Sequence, residues 1–375
     1  MTRPESDLAP RNFSFEVVDE SSDLSRPSLL ARPINFRKQA LAEFDAEFVM
    51  EQKKRNDSRF ELGRSSSTEM SEAIVNARAL MRESEYRLAH DLFRAILKVD
   101  NKNEIAIRGV AECARQMGQH DEAIQVLKQL VSSNESAANC LLLADEFYGL
   151  EYNEDALAMY LKVLMANGDD EKTLFHVYKN MGNVQLRLGD AAAAEESYNK
   201  AYTIDPDSDA LLTNFGSLEL YRGDSDRALA RFREAVSLND RNDKAWVGLA
   251  MIHRKYGDVE LSWANLEKAL DINSTNESAI HLLCEWAMKD MEVERAIRYL
   301  DPFLQRHPDH ALVSMWYAKF LYFSGRLETA LVEIEKTLYL EPMLDGAADV
   351  LNVIQDELAT RGAKSTSINQ GPIHG

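Results

Sequence analysis

The chain has 375 residues, of which 45% are hydrophobic and 28% charged, and its formal net charge is −19. Such a charge disfavours nucleic acid and anionic membrane surfaces as partners, because both would repel it. No apolar stretch approaches the roughly 18 residues of a membrane span, and the start MTRPESDLAP lacks the features of a secretion signal, so we expect a cytoplasmic protein.

Residues 1–69 contain polar, proline- and serine-bearing stretches without a repeat, which predicts a mostly disordered N-terminal arm. Within this arm, residues 34–56 predict an amphipathic helix. Its apolar face is formed by Phe36, Leu41, Phe44 and Phe48, while charged residues take the other face. This helix has no core of its own. It is expected either to pack against the first repeat or to dock on a partner or on the groove of its own chain.

Residues 70–344 are dominated by a ladder of small residues at intervals of 34, 33, 38, 34, 34, 34 and 34. Its members are Ala89, Ala123, Ala156, Ala194, Ala228, Ser262, Ala296 and Ala330. Another small residue precedes each member by twelve positions, and a bulky apolar residue follows each by four. These spacings place the residues on one helical face, where small side chains let helices approach closely. A fixed period near 34 predicts eight stacked helical hairpins.

Turn residues support the same repeat. Glycine stands five positions before the ladder in five of the eight units, at Gly118, Gly189, Gly223, Gly257 and Gly325. Glycine at such a position allows a left-handed helix cap. Prolines at three unit ends, Pro206, Pro308 and Pro342, are expected to stop the second helix. The 38-residue interval includes the acidic stretch 167–171, which we interpret as a tolerated loop insertion.

After the repeats, residues 345–362 predict one more helix with a single apolar side, and residues 363–375 predict a disordered tail. The end of a stack of hairpins exposes part of its core. The helix at 345–362 is therefore expected to cap it.

The pattern resembles the tetratricopeptide repeat family over residues 70–344. The unit most similar to the family signature contains Trp246, Leu249, Ala250, Gly257, Ser262, Leu266 and Ala269. The resemblance implies an all-α fold, a right-handed α-solenoid of about eight hairpins. It also implies a non-enzymatic protein–protein interaction scaffold or adaptor that needs no cofactor.

In that family the first helices of the hairpins line a concave groove. Its register selects eleven cations in this chain: Arg78, Arg82, Arg108, Arg115, Lys179, Arg187, Lys244, Arg254, Lys255, Lys289 and Lys319. Only three acids, Glu112, Asp145 and Glu285, occupy the same positions. The expected ligand is an extended acidic or C-terminal peptide, or a partner helix, with Asn180 and Asn214 pairing with its main chain. Alternatively, these long side chains merely solvate an exposed helix face.

Two parts of this groove stand out. Lys179, Asn183 and Asn214 resemble the first part of the carboxylate clamp that binds C-terminal peptides of heat-shock chaperones, but Val247 and Met251 stand where the full clamp requires Lys and Arg. The last unit carries an apolar patch, which either a neighbouring helix covers or a partner contacts. Its members are Met315, Trp316, Tyr322 and Phe323.

Catalytic motifs are absent: the sequence has no P-loop, no nucleotide-binding glycine fingerprint and no nucleophile elbow. Cys113, Cys140 and Cys284 are interpreted as reduced core thiols. His307 and His310 lack further ligands nearby in sequence, so we expect no metal site. Two other functions remain open: an escort for a subunit of a secreted or surface assembly, and a regulatory subunit of an enzyme complex. The oligomeric state is left open.

Overall fold

The computed structural model describes residues 67–166 and 170–368, with side chains over 69–166 and 170–361. This part of the chain forms two compact units that divide between Asp170 and Glu171. Every regular element within the described ranges is a helix, which confirms the predicted all-α class of stacked hairpins. The division falls at the irregular 38-residue interval of the ladder, for which the sequence had suggested only a loop insertion.

The first unit contains three helical hairpins. Its helices are α1 (Ser67–Arg82), α2 (Tyr86–Val99), α3 (Glu104–Gln116), α4 (His120–Ser133), α5 (Ala137–Gly149) and α6 (Asn153–Met165). Each helix packs against its neighbour in sequence, and α1 also contacts α3. The first helices of the first two hairpins therefore lie side by side.

The second unit contains five hairpins and a final helix. Its helices are α7 (Glu171–Arg187), α8 (Ala191–Ile204), α9 (Asp209–Tyr221), α10 (Ser225–Leu238), α11 (Asp243–Lys255), α12 (Val259–Ile272), α13 (Glu277–Asp290), α14 (Val293–Arg306), α15 (Ala311–Phe323), α16 (Leu327–Leu340) and α17 (Ala347–Ile368). The first helices again lie side by side, since α9 contacts both α7 and α11. Three second helices end two residues before the predicted prolines, with α8 at Ile204, α14 at Arg306 and α16 at Leu340.

The final helix covers the end of the second unit. Helix α17 contacts both α15 and α16, and Ile354 is fully buried in the shared core. Val350, Leu351 and Leu358 pack around the same core. The helix extends to Ile368, six residues past the boundary expected from the sequence.

The ladder of small residues lies in the core of the hairpins. All eight ladder residues are fully buried. The large side chain four positions later is buried as well, and in three hairpins its ring packs against glycine backbone. The ring of Phe232 occupies the space where Gly216 of its own hairpin and Gly248 of the next would carry a Cβ, at 2.6 and 2.4 Å. The ring of Tyr198 likewise occupies the space where Gly182 would carry a Cβ.

Every hairpin makes its internal turn with one left-handed residue. The five predicted glycines have φ between 73° and 84°. In the hairpins without glycine, Ser84, Glu151 and Met291 adopt φ of 62°, 59° and 58° at the same position. The turn geometry is thus common to all eight hairpins, although a non-glycine residue pays a steric penalty there.

Asparagine side chains connect successive hairpins, a feature that the sequence analysis missed. Asn273 ends α12 and Asn276 caps α13, and both donate their amide N–H to the carboxylate of Asp243 on α11, at 2.8 Å each. Asn239 and Asn242 bind Asp209 on α9 in the same manner, at 2.9 and 2.7 Å. Asp209 and Asp243 thereby each bind both ends of the next connection between hairpins.

We expect the substitution Asn276→Ala to lower the free energy of unfolding by about 1–2 kcal/mol, because it removes both the cap of α13 and the bond to Asp243. Urea denaturation of the full chain measures this change. Ser278→Ala in the first turn of the same helix serves as the control, with an expected effect within about 0.5 kcal/mol. Equal stability of the two variants would contradict a connecting role for Asn276.

Candidate peptide-binding surface of the first helices

The predicted binding residues all lie on first helices of the hairpins, but their side chains differ in what they contact. In the first unit, Arg115 forms a bidentate ion pair with Glu112 of the same helix, with N–O distances of 2.6 to 3.2 Å. Arg108 donates to the amide oxygen of Asn139 at 2.6 Å and lies 3.4 Å from Glu104. Both arginines therefore have acidic neighbours on α3, which reduces the positive field of this unit.

Two of the three residues that resemble a carboxylate clamp, Lys179 and Asn183, are buried at the start of the second unit, together with the predicted peptide-binding residue Asn180. Lys179, Asn180 and Asn183 on α7 are each at most 7% exposed. Asn183 accepts a hydrogen bond from the buried Tyr198 hydroxyl at 2.8 Å, and the Asn180 amide lies 3.1 Å from a ring nitrogen of His176. The amide groups therefore take part in packing within their own hairpin.

The neighbouring predicted residues are more accessible. Arg187, Asn214 and Lys244 are half-buried. Val247 is buried and Met251 is half-buried, at the two positions where a complete clamp would carry cations. The departure from the clamp noted in the sequence thus coincides with an apolar stretch of α11.

Arg254 is engaged in an internal cluster that the sequence analysis did not foresee. Its guanidinium forms a bidentate pair with Asp290 at the end of α13, at 2.6 and 2.7 Å. The indole N–H of Trp263 donates to the same carboxylate at 2.9 Å. The guanidinium also lies 4.9 Å from the centre of the Trp286 ring, and the two indoles meet edge to face. Arg254 therefore connects hairpins six and seven, with its charge balanced by Asp290.

Asp290 lies just outside the positions selected by the groove register, which explains why the sequence analysis missed this pair. The hydrogen bond from Arg254 holds the pKa of its carboxyl below the usual range, although partial burial opposes this shift. Trp263 and Arg254 are 27 and 36 positions from Asp290 in the sequence, so only the fold reveals their contacts with its carboxylate.

Lys255 likewise contacts a neighbouring hairpin. Its ammonium group donates to the hydroxyl of Ser225, the first residue of α10, at 2.7 Å. Tyr256, the next residue, donates to Asp226 of the same helix at 2.6 Å. Two hydrogen bonds therefore connect this end of α11 to the preceding hairpin.

Lys289 and Lys319 differ from Arg254 and Lys255, because neither forms an ion pair or hydrogen bond with another residue in the described ranges. Arg78 and Arg82 on α1 are likewise exposed and form no ion pair there. Lys289 is exposed, and the ammonium of Lys319 lies 4.5 Å from the centre of the Trp316 ring. Glu285 on α13 is the acid at a groove position in these two hairpins, and it is also exposed.

The predicted apolar patch divides into a buried and an accessible part. Met315 is 5% exposed and belongs to the core, whereas Phe323 is 46% exposed. Trp316 and Tyr322 are partly buried against the same core, which α17 also covers. The accessible part of the patch is therefore the edge formed by Trp316, Tyr322 and Phe323. The predicted docking residues Phe36, Leu41, Phe44 and Phe48 lie outside the described residues.

The described ranges also bear on metal, membrane and thiol chemistry. They contain no group of three or more histidine, cysteine or acidic residues able to hold a metal. No helix among them is long and apolar enough to cross a membrane. The three cysteines are unpaired and buried, and burial raises the pKa of Cys113 to about 11 and that of Cys284 to about 12. Such thiols remain protonated and unreactive near neutral pH.

Comparisons with known proteins agree with this architecture. Tetratricopeptide repeat models match residues 80–144, 175–208, 213–277 and 287–352. No curated protein matches the sequence. A solved tetratricopeptide repeat protein from Parabacteroides merdae is 15% identical with a TM-score of 0.51, and the alignment covers 77% of this chain and 100% of that one.

Two further solved structures are similar. PilW, described as a type IV pilus biogenesis factor, is 18% identical with a TM-score of 0.50, and the alignment covers 58% of this chain and 100% of that one. A chain of the solved APC/C hetero-tetramer Cut9–Hcn1 is 15% identical with a TM-score of 0.48, and the alignment covers 77% of this chain and 57% of that one. At such identities the likeness concerns the fold alone.

Proposed function

This chain belongs to the tetratricopeptide repeat family, and on that premise we propose that it is a non-enzymatic, cytoplasmic scaffold that binds an extended acidic segment of a partner protein. The binding surface in this proposal is formed by the first helices α11, α13 and α15 of the second unit. The residues proposed to contact the ligand are Lys244, Lys289, Lys319, Trp316 and Phe323.

The proposal rests on the observation that Lys289 and Lys319 form no ion pair or hydrogen bond with another described residue. Most of the other predicted cations are buried, paired with acids or bonded to a neighbouring hairpin, whereas these two form no ion pair with a described carboxylate. They occupy first helices of adjacent hairpins in a chain with a net charge of −19. A local basic surface in an acidic protein attracts acidic segments and repels basic ones.

The aromatic residues beside Lys319 define a second requirement for the ligand. The ammonium over the Trp316 ring is held by a cation–π interaction, which positions it without neutralising it. Phe323 adds an accessible apolar surface at the end of the same helix. A segment with an acidic residue near a large apolar one would pair with Lys319 and cover the ring edges.

We expect the double substitution Lys289→Glu/Lys319→Glu to weaken binding of such segments about tenfold, which corresponds to about 1.4 kcal/mol. The probes are peptides selected on the full chain from a random display library and measured by fluorescence anisotropy. Binding to the wild-type chain should weaken as salt rises from about 0.05 to about 0.5 M, because screening shortens the reach of exposed charges.

The control is Lys268→Glu, which reverses the charge of an exposed lysine on the second helix α12 and so equals each single substitution of the double variant in charge. It should leave affinity within about twofold, since the net charge alone contributes little at high ionic strength. A library that yields no acidic peptides, or equal loss in both variants, would contradict the proposed surface.

An escort of an apolar client is the alternative, and exposed residues of the last hairpin favour it. Tyr339 on α16 is 86% exposed and lies on the same side of the helix as Val332, and Met343, which follows the helix, is 92% exposed. A client bound there would bury apolar area and show little salt dependence. Loss of a client on Tyr339→Ser, without loss on Lys319→Glu, would favour this function over peptide binding.

A further inference from the structure

The second helix of the first hairpin carries an apolar stripe that the hairpin itself does not bury. Leu88, Leu92, Ala95 and Val99 recur at spacings of four, three and four along α2, so they share one side of the helix. Leu88 and Leu92 are half-buried, and Val99 is 48% exposed. The core of this hairpin is formed by the adjacent side, with Ala89 and Phe93.

Contacts in the later hairpins establish which way this stripe faces. Glu122 holds the same position in α4 that Leu88 holds in α2, and it bonds back to His90 and Arg94 of the preceding hairpin. Arg295 holds that position in α14 and lies 3.8 Å from Glu267 of the preceding hairpin. This position therefore faces the N-terminal neighbour, and in α2 no hairpin precedes it among the described residues.

The later hairpins place different residues on this side. At the position of Leu88 they carry Glu122, Asp155, Ala193, Arg227, Leu261, Arg295 and Thr329. At the position of Leu92 they carry Val126, Met159, Ser197, Arg231, Asn265, Tyr299 and Glu333. The first hairpin has leucine at both positions. In later hairpins, Glu122, Arg295 and Tyr299 form ion pairs or polar contacts with the preceding hairpin on this side. The N-terminal side of the first hairpin is instead suited to an apolar partner.

We propose that the chain's own residues 34–56 occupy this stripe as an N-terminal cap of the first unit. These residues lie outside the described ranges. Phe36, Ala40, Phe44 and Phe48 recur at every fourth position. At 1.5 Å per residue they span about 18 Å of helix, and the stripe from Leu88 to Val99 spans about 16 Å.

The length of the segment that connects residues 34–56 to α1 and the charges on both surfaces are compatible with this docking. The ten residues between Asn56 and Ser67 can extend to about 33 Å, which exceeds the length of about 24 Å of α1. Arg87 and Lys98 flank the stripe on α2, are exposed, and form no ion pair with another described residue. The candidate segment offers Glu43, Glu47 and Glu51 in a row beside its phenylalanines.

Disulfide trapping in the full chain tests the proposal. Phe44→Cys is paired with Leu92→Cys, because both residues lie near the middle of their stripes and meet in either helix direction. The control pairs Phe44→Cys with Gln125→Cys, an exposed residue on α4 of the next hairpin. We expect the first pair to form an intrachain disulfide roughly tenfold faster than the control, because docking raises the effective concentration of the two thiols. The native cysteines are buried and do not compete.

A second comparison separates docking from chance encounters of a tethered segment. Phe36→Asp/Phe48→Asp should abolish the excess rate, and Phe36→Leu/Phe48→Leu should retain it. These substitutions lie outside the stack of hairpins and leave its core unchanged. Equal rates in the trapping and control pairs would overturn the proposal. Predominant cross-links between chains would assign the stripe to a second copy instead and would equally overturn it.

Discussion

Replacing Phe232 with alanine should lower the free energy of unfolding by about 4 kcal/mol, the largest single effect we expect in this chain. The ring is fully buried between the backbones of Gly216 and Gly248. Removing it leaves a cavity with glycine on two sides, and neither glycine has a side chain that could move into the space. In a stack of hairpins such a loss also weakens the contact with the next hairpin. Urea denaturation of the full chain measures it.

A double-mutant cycle with Gly248→Ala makes this test specific. In the wild-type chain the added Cβ would lie 2.4 Å from the Phe232 ring, so Gly248→Ala alone should cost about 1–3 kcal/mol. In the Phe232→Ala background the same methyl group enters empty space and should cost little. The expected coupling is therefore about 1–2 kcal/mol in favour of the double variant. Strict additivity would show that the ring and the glycine do not share this space.

Phe323→Ala is the matched control, since Phe323 is the accessible phenylalanine at the end of α15. We expect a loss of about 1 kcal/mol or less. A loss below about 2 kcal/mol in Phe232→Ala would contradict the view that ring-on-glycine packing holds neighbouring hairpins together.

The second large effect is expected at Asp290, where substitution by asparagine should destabilise the chain by about 2–3 kcal/mol at neutral pH. The substitution keeps the shape of the side chain but leaves the Arg254 guanidinium, which is 14% exposed, without its counterion. A fully buried pair would cost more, and the remaining exposure of both groups reduces the effect. Thermal and urea denaturation both report it.

The pH dependence of this difference follows from the lowered pKa of Asp290. The hydrogen bond from Arg254 favours the ionised carboxylate in the folded state, so the folded pKa lies below the unfolded value of about 3.9. Its contribution is fully present above the unfolded pKa and is lost as pH falls through the folded pKa. The stability difference between wild type and Asp290→Asn should therefore shrink below about pH 4.

Glu335→Gln provides the control for charge removal, because Glu335 is exposed on α16 and forms no ion pair within the described residues. Its effect should stay within about 0.5 kcal/mol at every pH. A difference between wild type and Asp290→Asn that stays constant from neutral pH to about pH 3 would contradict the ionic origin of the Asp290 contribution.

Much of the fold could be predicted because its determinants are local and periodic. The small residue of the ladder, the large residue four positions later and the turn residue five positions earlier lie on one helical hairpin. Each of their roles follows from helix geometry alone. The left-handed turns of Ser84, Glu151 and Met291 show the limit of this logic, because nothing in these residue types indicates positive φ.

The candidate site was less predictable, because a register identifies which helix face a residue occupies but not what its side chain contacts. The register selected both Arg254 and Lys289 as groove cations. Arg254 binds Asp290, which lies 36 positions away, while Lys289 has no such partner within the described residues. The peptide-binding role of either residue remains a prediction, and the contacts now make Lys289 the better candidate.

The repeat, the hairpins and the residues that pack between their helices follow from the amino-acid sequence, because burial with a period of 34 residues dictates which positions must be small or large. The division at Asp170, the asparagine bonds to Asp209 and Asp243, and the pairing of Arg254 with Asp290 are visible only in the folded chain. These features join groups that are distant in sequence. Their energies depend on distances of 2.6 to 2.9 Å, which side-chain spacing alone does not specify.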